Sequence, residues 1–151
     1  MQLSPLGLNL IRQFEGFRSH AYLDIAGIPT IGYGHRIQPG ESFPDGLTEA
    51  QAAQLLAADA DIAASAVTRH VKVPLTQGQF DALVDFVYNL GVARFAASTL
   101  LSALNARSYD AAASQILRWD HAGSIEVEGL KRRRQAEFAL WNSAKSAVAP
   151  S

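Results

Sequence analysis

The chain reads as an α+β protein, mostly helical, with a small β-hairpin lobe and a larger helical lobe joined by a long helix. Three observations predict this. Gly27, Pro29, Gly32 and Gly34 punctuate a partly alternating stretch that begins after residue 16, as in a short twisted hairpin region. Two capping boxes, Thr48-Glu49-Ala50-Gln51 and Thr76-Gln77-Gly78-Gln79, open helical patterns downstream. No internal repeat, low-complexity tract or linker interrupts the chain. Residues 1–151 are therefore expected to form one domain, with the β-containing lobe at about 15–60 and the helical lobe at about 61–145 plus the N-terminal helix.

The first element is a helix with clear punctuation. Ser4 can cap it, Pro5 suits its first position, and Leu3 can staple onto Leu8. Leu10, Ile11 and Phe14 continue an apolar stripe, and Gly16 stops it. The hairpin region follows, and then a loop at residues 38–47 marked by Pro39-Gly40 and Pro44-Asp45-Gly46. From Thr48 an alanine-rich helix runs to about Arg69, roughly 30 Å at ~1.5 Å per residue, enough to link two lobes. After the second capping box, Phe80, Leu83, Val84, Val87 and Tyr88 recur at helical spacing, with Gly91 as the stop. Further helices fit residues 98–105, 109–119 and 129–143, with a loop at 122–129 and a frayed tail from Ala144 to Ser151.

Composition excludes several classes. A hydrophobic fraction of 48% and a charged fraction of 18% are those of a globular enzyme and wrong for disorder. The formal net charge of −1 gives no electrostatic case for nucleic acid or an anionic membrane. With no cysteine, disulfides and thiolate metal sites are ruled out. His20, His35, His70 and His121 have no ligand-like spacing, so no metal and no cofactor are expected. No run approaches the ~18 apolar residues that span a bilayer, and no cleavable signal pattern opens the chain. Synthesis in the cytoplasm as a monomer is the expectation.

The chemistry concentrates in Phe14-Glu15-Gly16-Phe17-Arg18, Tyr22-Leu23-Asp24 and Pro29-Thr30-Ile31-Gly32-Tyr33-Gly34-His35. Glu15, near a helix C-terminus and flanked by phenylalanines, can serve as a protonated general acid. Asp24 and Thr30 are equidistant from Gly27, so a hairpin turning there places them opposite each other, Cβ atoms ~5 Å apart, where they can share a water. That is equipment for hydrolysing a glycosidic bond. Each residue also has a plainer use. Asp24 can be a turn former, Thr30 a strand residue, and Gly32 and Gly34 backbone necessities. His35 is expected to be a hydrogen-bonding residue rather than a base. The run Lys131-Arg132-Arg133-Arg134 reads as a solvated helix face, and Trp119 as either core or a platform for a sugar ring.

These segments resemble the active-site region of phage-type lysozymes, the endolysin family that includes T-even phage lysozyme. The order Glu, eight residues, Asp, five residues, Thr matches without insertion. Gln79-Phe80-Asp81-Ala82-Leu83, Asn89-Leu90-Gly91, Ser98-Thr99-Leu100-Leu101, Trp119 and the stretch from Gly129-Leu130 to Glu137 are similar too, so the resemblance covers roughly residues 8–141. It implies a lysozyme-like fold and cleavage of the β-1,4 bond between N-acetylmuramic acid and N-acetylglucosamine in bacterial peptidoglycan. It further implies Glu15 as general acid, Asp24 and Thr30 placing the water, and Asn89, His35 and Arg133 on the substrate side, with Arg133 reaching toward Glu15. Asn89 reads equally as a helix cap. A holin-type pore is the implied route from the cytoplasm to the wall.

Two features depart from the family. The loop Gly123-Ser124-Ile125-Glu126-Val127-Glu128 carries two acids where relatives usually have a glycine pair and a basic residue, and the net charge is low for a wall-degrading enzyme. Two other functions compete with hydrolysis. A lytic transglycosylase needs an acid but no water-placing carboxylate, and a silent glycan-binding domain predicts loss of Glu15 or Asp24; both residues are present.

Overall fold

The computed structural model describes residues 1–143, and the tail from Ala144 to Ser151 lies outside the described residues. The elements run α1 (Pro5–Glu15), β1 (Arg18–Leu23), β2 (Pro29–Gly32), β3 (His35–Arg36), α2 (Glu49–His70), α3 (Gln77–Leu90), α4 (Val92–Ala96), α5 (Thr99–Asn105), α6 (Tyr109–Ile116), β4 (His121–Ala122), β5 (Ile125–Glu126) and α7 (Glu128–Ser143). None of the described helices is long and apolar enough to cross a membrane.

The caps expected at the helix starts are in place. Ser4 Oγ accepts from the Gly7 N–H, and Thr48 and Thr76 each form a complete capping box with Gln51 and Gln79. Leu3 and Leu8 both pack against the core. In the small lobe β1, β2 and β3 make an antiparallel meander in that order. The long helix α2 carries Ala52, Leu56, Ala60, Ala63 and Val67 along its buried face, and alanine lets neighbours come close. A Cβ on Gly32 of β2 would lie only 3.2 Å from that of Ala52.

The helical lobe is built round α3, which is buried on all sides from Gly78 to Val87 and packs on α7, α2 and α1. A helix enclosed this way is normally apolar throughout. Two aspartates break the pattern, and both are satisfied. Asp81 accepts from the backbone and hydroxyl of Ser4 and from Gln77, which anchors the start of α1. Asp85 is held by Arg133 of α7.

Four expectations need correction. The segment 122–129 is not merely a loop: β4 and β5 pair as a short ribbon, His121 with Glu126 and Ala122 with Ile125. Strands of two residues are too short to show alternation. A single turn of helix, α4, follows Gly91 where no helix was expected, and α6 ends at Ile116, leaving Trp119 outside it. Lastly, the basic run is not a solvated face. Arg133 and Arg134 are buried, and only Lys131 and Arg132 turn toward water.

Candidate active site

Glu15 is the last residue of α1, where Gly16 at φ 69° turns the chain out of the helix. The carbonyls of a helix C-terminus repel an anion, so the charge of Glu15 needs a partner. Arg133 supplies it across a sequence distance of 118 residues, its Nη1 donating to Glu15 Oε2 at 2.8 Å. The remaining oxygen, Oε1, lies over Gly34 in the turn between β2 and β3. A Cβ built on Gly34 would fall 2.8 Å from Glu15 Cδ and closer still to Oε1. Gly34 therefore meets two demands, its φ of 77° and the room this carboxyl occupies.

Asp24 and Thr30 are brought together, though not as direct opposites. The register pairs Thr30 with Tyr22 and Leu23 with Pro29. The hairpin closes tighter than a turn centred on Gly27 alone would require: the Asp24 N–H donates to Ile28 O at 3.0 Å, and Asp24 Oδ1 accepts from the Ile28 N–H at 2.8 Å. Asp24 thus faces Ile28, and Thr30 follows two residues later on the same face of β2. The Thr30 hydroxyl donates to Ile28 O at 2.8 Å. The two side chains converge on one residue as diagonal neighbours, a relation that separates such residues by roughly 7–8 Å, their Cβ atoms by somewhat less, rather than by the ~5 Å of direct opposites.

Tyr22, opposite Thr30, locates both carboxylates at once. Burial raises the pKa of its hydroxyl, and Glu15 and Asp24 each raise it further against the opposing charge of Arg18. Arg18 stacks on the same ring at 4.3 Å. Sequence reasoning named Tyr22 within the Asp24 segment but gave it no role of its own; its position two residues before Asp24 was the available signal.

His35 is buried with both ring nitrogens engaged, Nδ1 with Asp59 Oδ2 at 2.7 Å and Nε2 with Glu41 Oε1 at 2.9 Å. Burial acts to lower its pKa, but the hydrogen bonds to Glu41 and Asp59 prevail and raise it. The ring offers the groove no free nitrogen. It ties β3 to α2 and to the loop before α2.

A hollow of about 240 Å³ opens between the lobes, lined by Gly34, Arg36, Asp59, Tyr88, Asn89 and Val92 among others. Asn89 sits in the last turn of α3, whose end is capped by the Gly91 N–H on Val87 O, so asparagine is not the cap. Its Oδ1 is buried with no partner. Tyr88 donates its hydroxyl to Tyr33 O at 2.6 Å and pins the β2–β3 turn to α3. A second hollow of about 520 Å³ is lined by Phe14, Ile25, Leu130, Arg132 and Arg133. Gly34, beneath the Glu15 carboxyl, lines the first, and Phe14, the neighbour of Glu15 in sequence, lines the second. Trp119 packs edge-on against Phe86 at 5.7 Å, on the core side. In the acidic ribbon, Glu126 is balanced by Lys131 at 3.3 Å.

The residue most clearly missed from sequence is Asp85, which grips Arg133 through two hydrogen bonds of 2.9 and 2.8 Å. An acid inside the apolar run of α3 was the signal.

Comparison with known proteins gives a consistent result. The Phage lysozyme family model matches residues 12–137. The endolysin of Salmonella phage P22 is 40% identical over 146 residues, covering 95% of this chain and 99% of that one. The endolysin of Acyrthosiphon pisum secondary endosymbiont phage 1 is 39% identical over 148 residues, with 95% and 100% covered. Among solved structures, the endolysin from Escherichia coli O157:H7 phage FAHEc1 superposes with a TM-score of 0.84 at 38% identity, covering 100% of this chain and 98% of that one.

Proposed function

Because the chain belongs to the phage lysozyme family, and is thus a peptidoglycan hydrolase of the glycosidase class, we propose that it cleaves the β-1,4 bond between N-acetylmuramic acid and N-acetylglucosamine with inversion. Glu15 is the general acid, and Asp24 with Thr30 places the attacking water. The observation that carries this reading is the division of labour among the oxygens of these three side chains.

Glu15 Oε2 is occupied by Arg133, so Oε1 is the oxygen free to carry a proton to the bridging oxygen of the substrate. Asp24 Oδ1 is occupied by the Ile28 N–H, which leaves Oδ2 for water. The Thr30 hydroxyl spends its hydrogen on Ile28 O and meets water as an acceptor. A water between them gives one hydrogen to Asp24 Oδ2 and the other to Thr30 Oγ1. Its lone pair is then aimed outward at the sugar carbon. As the glycosidic bond breaks, the leaving oxygen takes the Glu15 proton, and Asp24 takes a proton from the water that adds to the opposite face.

On this reading Asn89 faces the sugar, and its place in the lining of the hollow between the lobes supports that role. Arg133 acts through Glu15, and His35 holds the small lobe in shape. The partner is bacterial peptidoglycan, reached from the cytoplasm through a holin-type pore, and the enzyme works as a monomer. A transglycosylase has no use for the water-binding pair, and a silent binder has no use for the free Oε1. Mass spectrometry of digested peptidoglycan tests the proposal: reducing ends support hydrolysis, anhydro ends would mean transglycosylation, and intact glycan a binding domain.

A further inference from the structure

Behind Glu15 lies a chain of buried charge that the hydrolytic scheme does not use. Arg133 holds Glu15 with one nitrogen and Asp85 with two. The Asp85 carboxyl contacts that of Glu137, one turn further along α7 than Arg133. Glu137 in turn accepts from Arg134 Nη2 at 2.8 Å, with Arg134 Nε 2.7 Å from its other oxygen. Asp85, Arg134 and Glu137 are 0% exposed and Arg133 is 4% exposed, so water screens none of them. Arg134 also lies over the Phe86 ring at 5.2 Å, and Arg133 near Phe14 at 5.8 Å.

Two carboxylates cannot touch in such a place with both ionised. Three carboxylates against two guanidiniums leave one negative charge in excess, and a single proton cancels it. The environment says where that proton sits. Burial, and then the contact with Asp85, raises the pKa of Glu137 well above the usual carboxylate range. For Asp85, burial opposes ionisation, but the hydrogen bond from Glu137 and the charges of Arg133 and Arg134 prevail and lower its pKa. These are the charged groups acting on the pair, contributed by α3 and α7, with Glu15 on α1 as the far end of the chain.

Resting on the reading of Glu15 as general acid, we propose that Asp85 and Glu137 are a positioning pair: they share one proton, lock Arg133 against Glu15, and set how much positive charge the acid feels. A fully uncompensated arginine would hold Glu15 as an anion, useless as a proton donor. Without Asp85, Arg133 would keep a hydrogen bond to one carboxylate only among the described residues, that of Glu15. By taking the larger share of the guanidinium, with two of its three hydrogen bonds, Asp85 leaves Glu15 positioned yet able to carry a proton. Glu137 keeps Asp85 ionised for that work by donating to it.

The pH–rate profile reads this directly, because a purely structural role would change rate without moving the profile. Asp85→Asn removes the compensating charge, so the alkaline limb of kcat/KM should move to lower pH by about one unit, tenfold in proton affinity. Glu137→Gln replaces a neutral donor with another and should leave the limb where it is. An unmoved limb in Asp85→Asn, or a Glu137→Gln limb displaced as far as that of Asp85→Asn, overturns the proposal. Should Asp85→Asn fail to fold, carboxyl carbon NMR of the parent decides. The Glu137 signal should stay at its protonated position from about pH 4 to about pH 7, where ordinary glutamates ionise; titration alongside them would refute the shared proton. The reading of Glu15 fails separately, through a Glu15→Gln enzyme that still lyses walls, and the Glu15 carboxyl titration in Asp85→Asn would still report the coupling in that event.

Discussion

The carboxyl of Glu15 rests directly on the Cα of Gly34, in space that any other residue at position 34 would fill with its own Cβ. One residue ends the first helix and the other sits in the β2–β3 turn, so their contact closes the small lobe onto the start of the helical one. Gly34→Ala should therefore harm catalysis more than folding. The positive φ costs about 1 kcal/mol, or about 2–4 °C in Tm. Displacing the acid by even an ångström costs about a hundredfold in rate. Paired melting and turbidity assays would show it, and an alanine variant that clears cell walls at the parent rate would contradict a functional role for the contact.

Glu15→Gln keeps the size of the side chain and a donor toward the groove but cannot release a proton. We expect lytic rate to fall by about 10²–10⁴ or more, with an unchanged fold by circular dichroism.

Asp24 has two separable duties, and two substitutions separate them. Asp24→Asn keeps an oxygen for the Ile28 N–H and should melt within about 0.5 kcal/mol of the parent, while losing about 10²–10⁴ in rate with the carboxylate. Asp24→Ala loses the turn hydrogen bond as well, a further cost of about 1 kcal/mol in stability. Equal melting points for the two variants would show that the turn bond contributes nothing.

The stereochemical outcome follows from geometry. A water between Asp24 and the sugar requires the Glu15 and Asp24 carboxyls roughly 6.5–9.5 Å apart and yields the inverted anomer. Proton NMR of the first-formed product, taken before mutarotation, distinguishes the anomers. A retained β-product would assign Asp24 as a nucleophile instead.

His35 makes stability depend on pH with a definite sign. Its pKa is raised in the folded state by Glu41 and Asp59, despite burial. The protonated ring therefore stabilises the fold fully below the unfolded value of about 6.5, and that contribution is lost as pH rises through the higher folded value. Tm should decline between about pH 6 and about pH 8 by a few degrees, and His35→Gln should flatten the decline. A flat parent curve over that range would refute the charged sandwich.

Much of the fold is legible because it is written locally. Ser4, Thr48 and Thr76 cap helices through hydrogen bonds to residues three positions on, and Gly16 and Gly91 end helices by adopting positive φ. The Glu15, Asp24 and Thr30 spacing is legible for the same reason, since α1 and one hairpin carry all three. The exact pairing of that hairpin was not. Asp24 folds its own side chain onto Ile28, which moves Thr30 opposite Tyr22, and only the backbone path reveals that. The β4–β5 ribbon and α4 are too short to show periodicity. Arg133 and Arg134 look like solvated cations when their neighbours are Lys131 and Arg132.

From its residues alone, then, the chain specifies where helices begin and stop and which side chains can do acid and water chemistry. Folding settles which charged groups those side chains meet. Arg133, itself buried, meets the buried Asp85 across 48 residues and the partly exposed Glu15 across 118. The strength of a charge–charge interaction depends on distance and on the surrounding dielectric, and neither exists until α1, α3 and α7 have packed together.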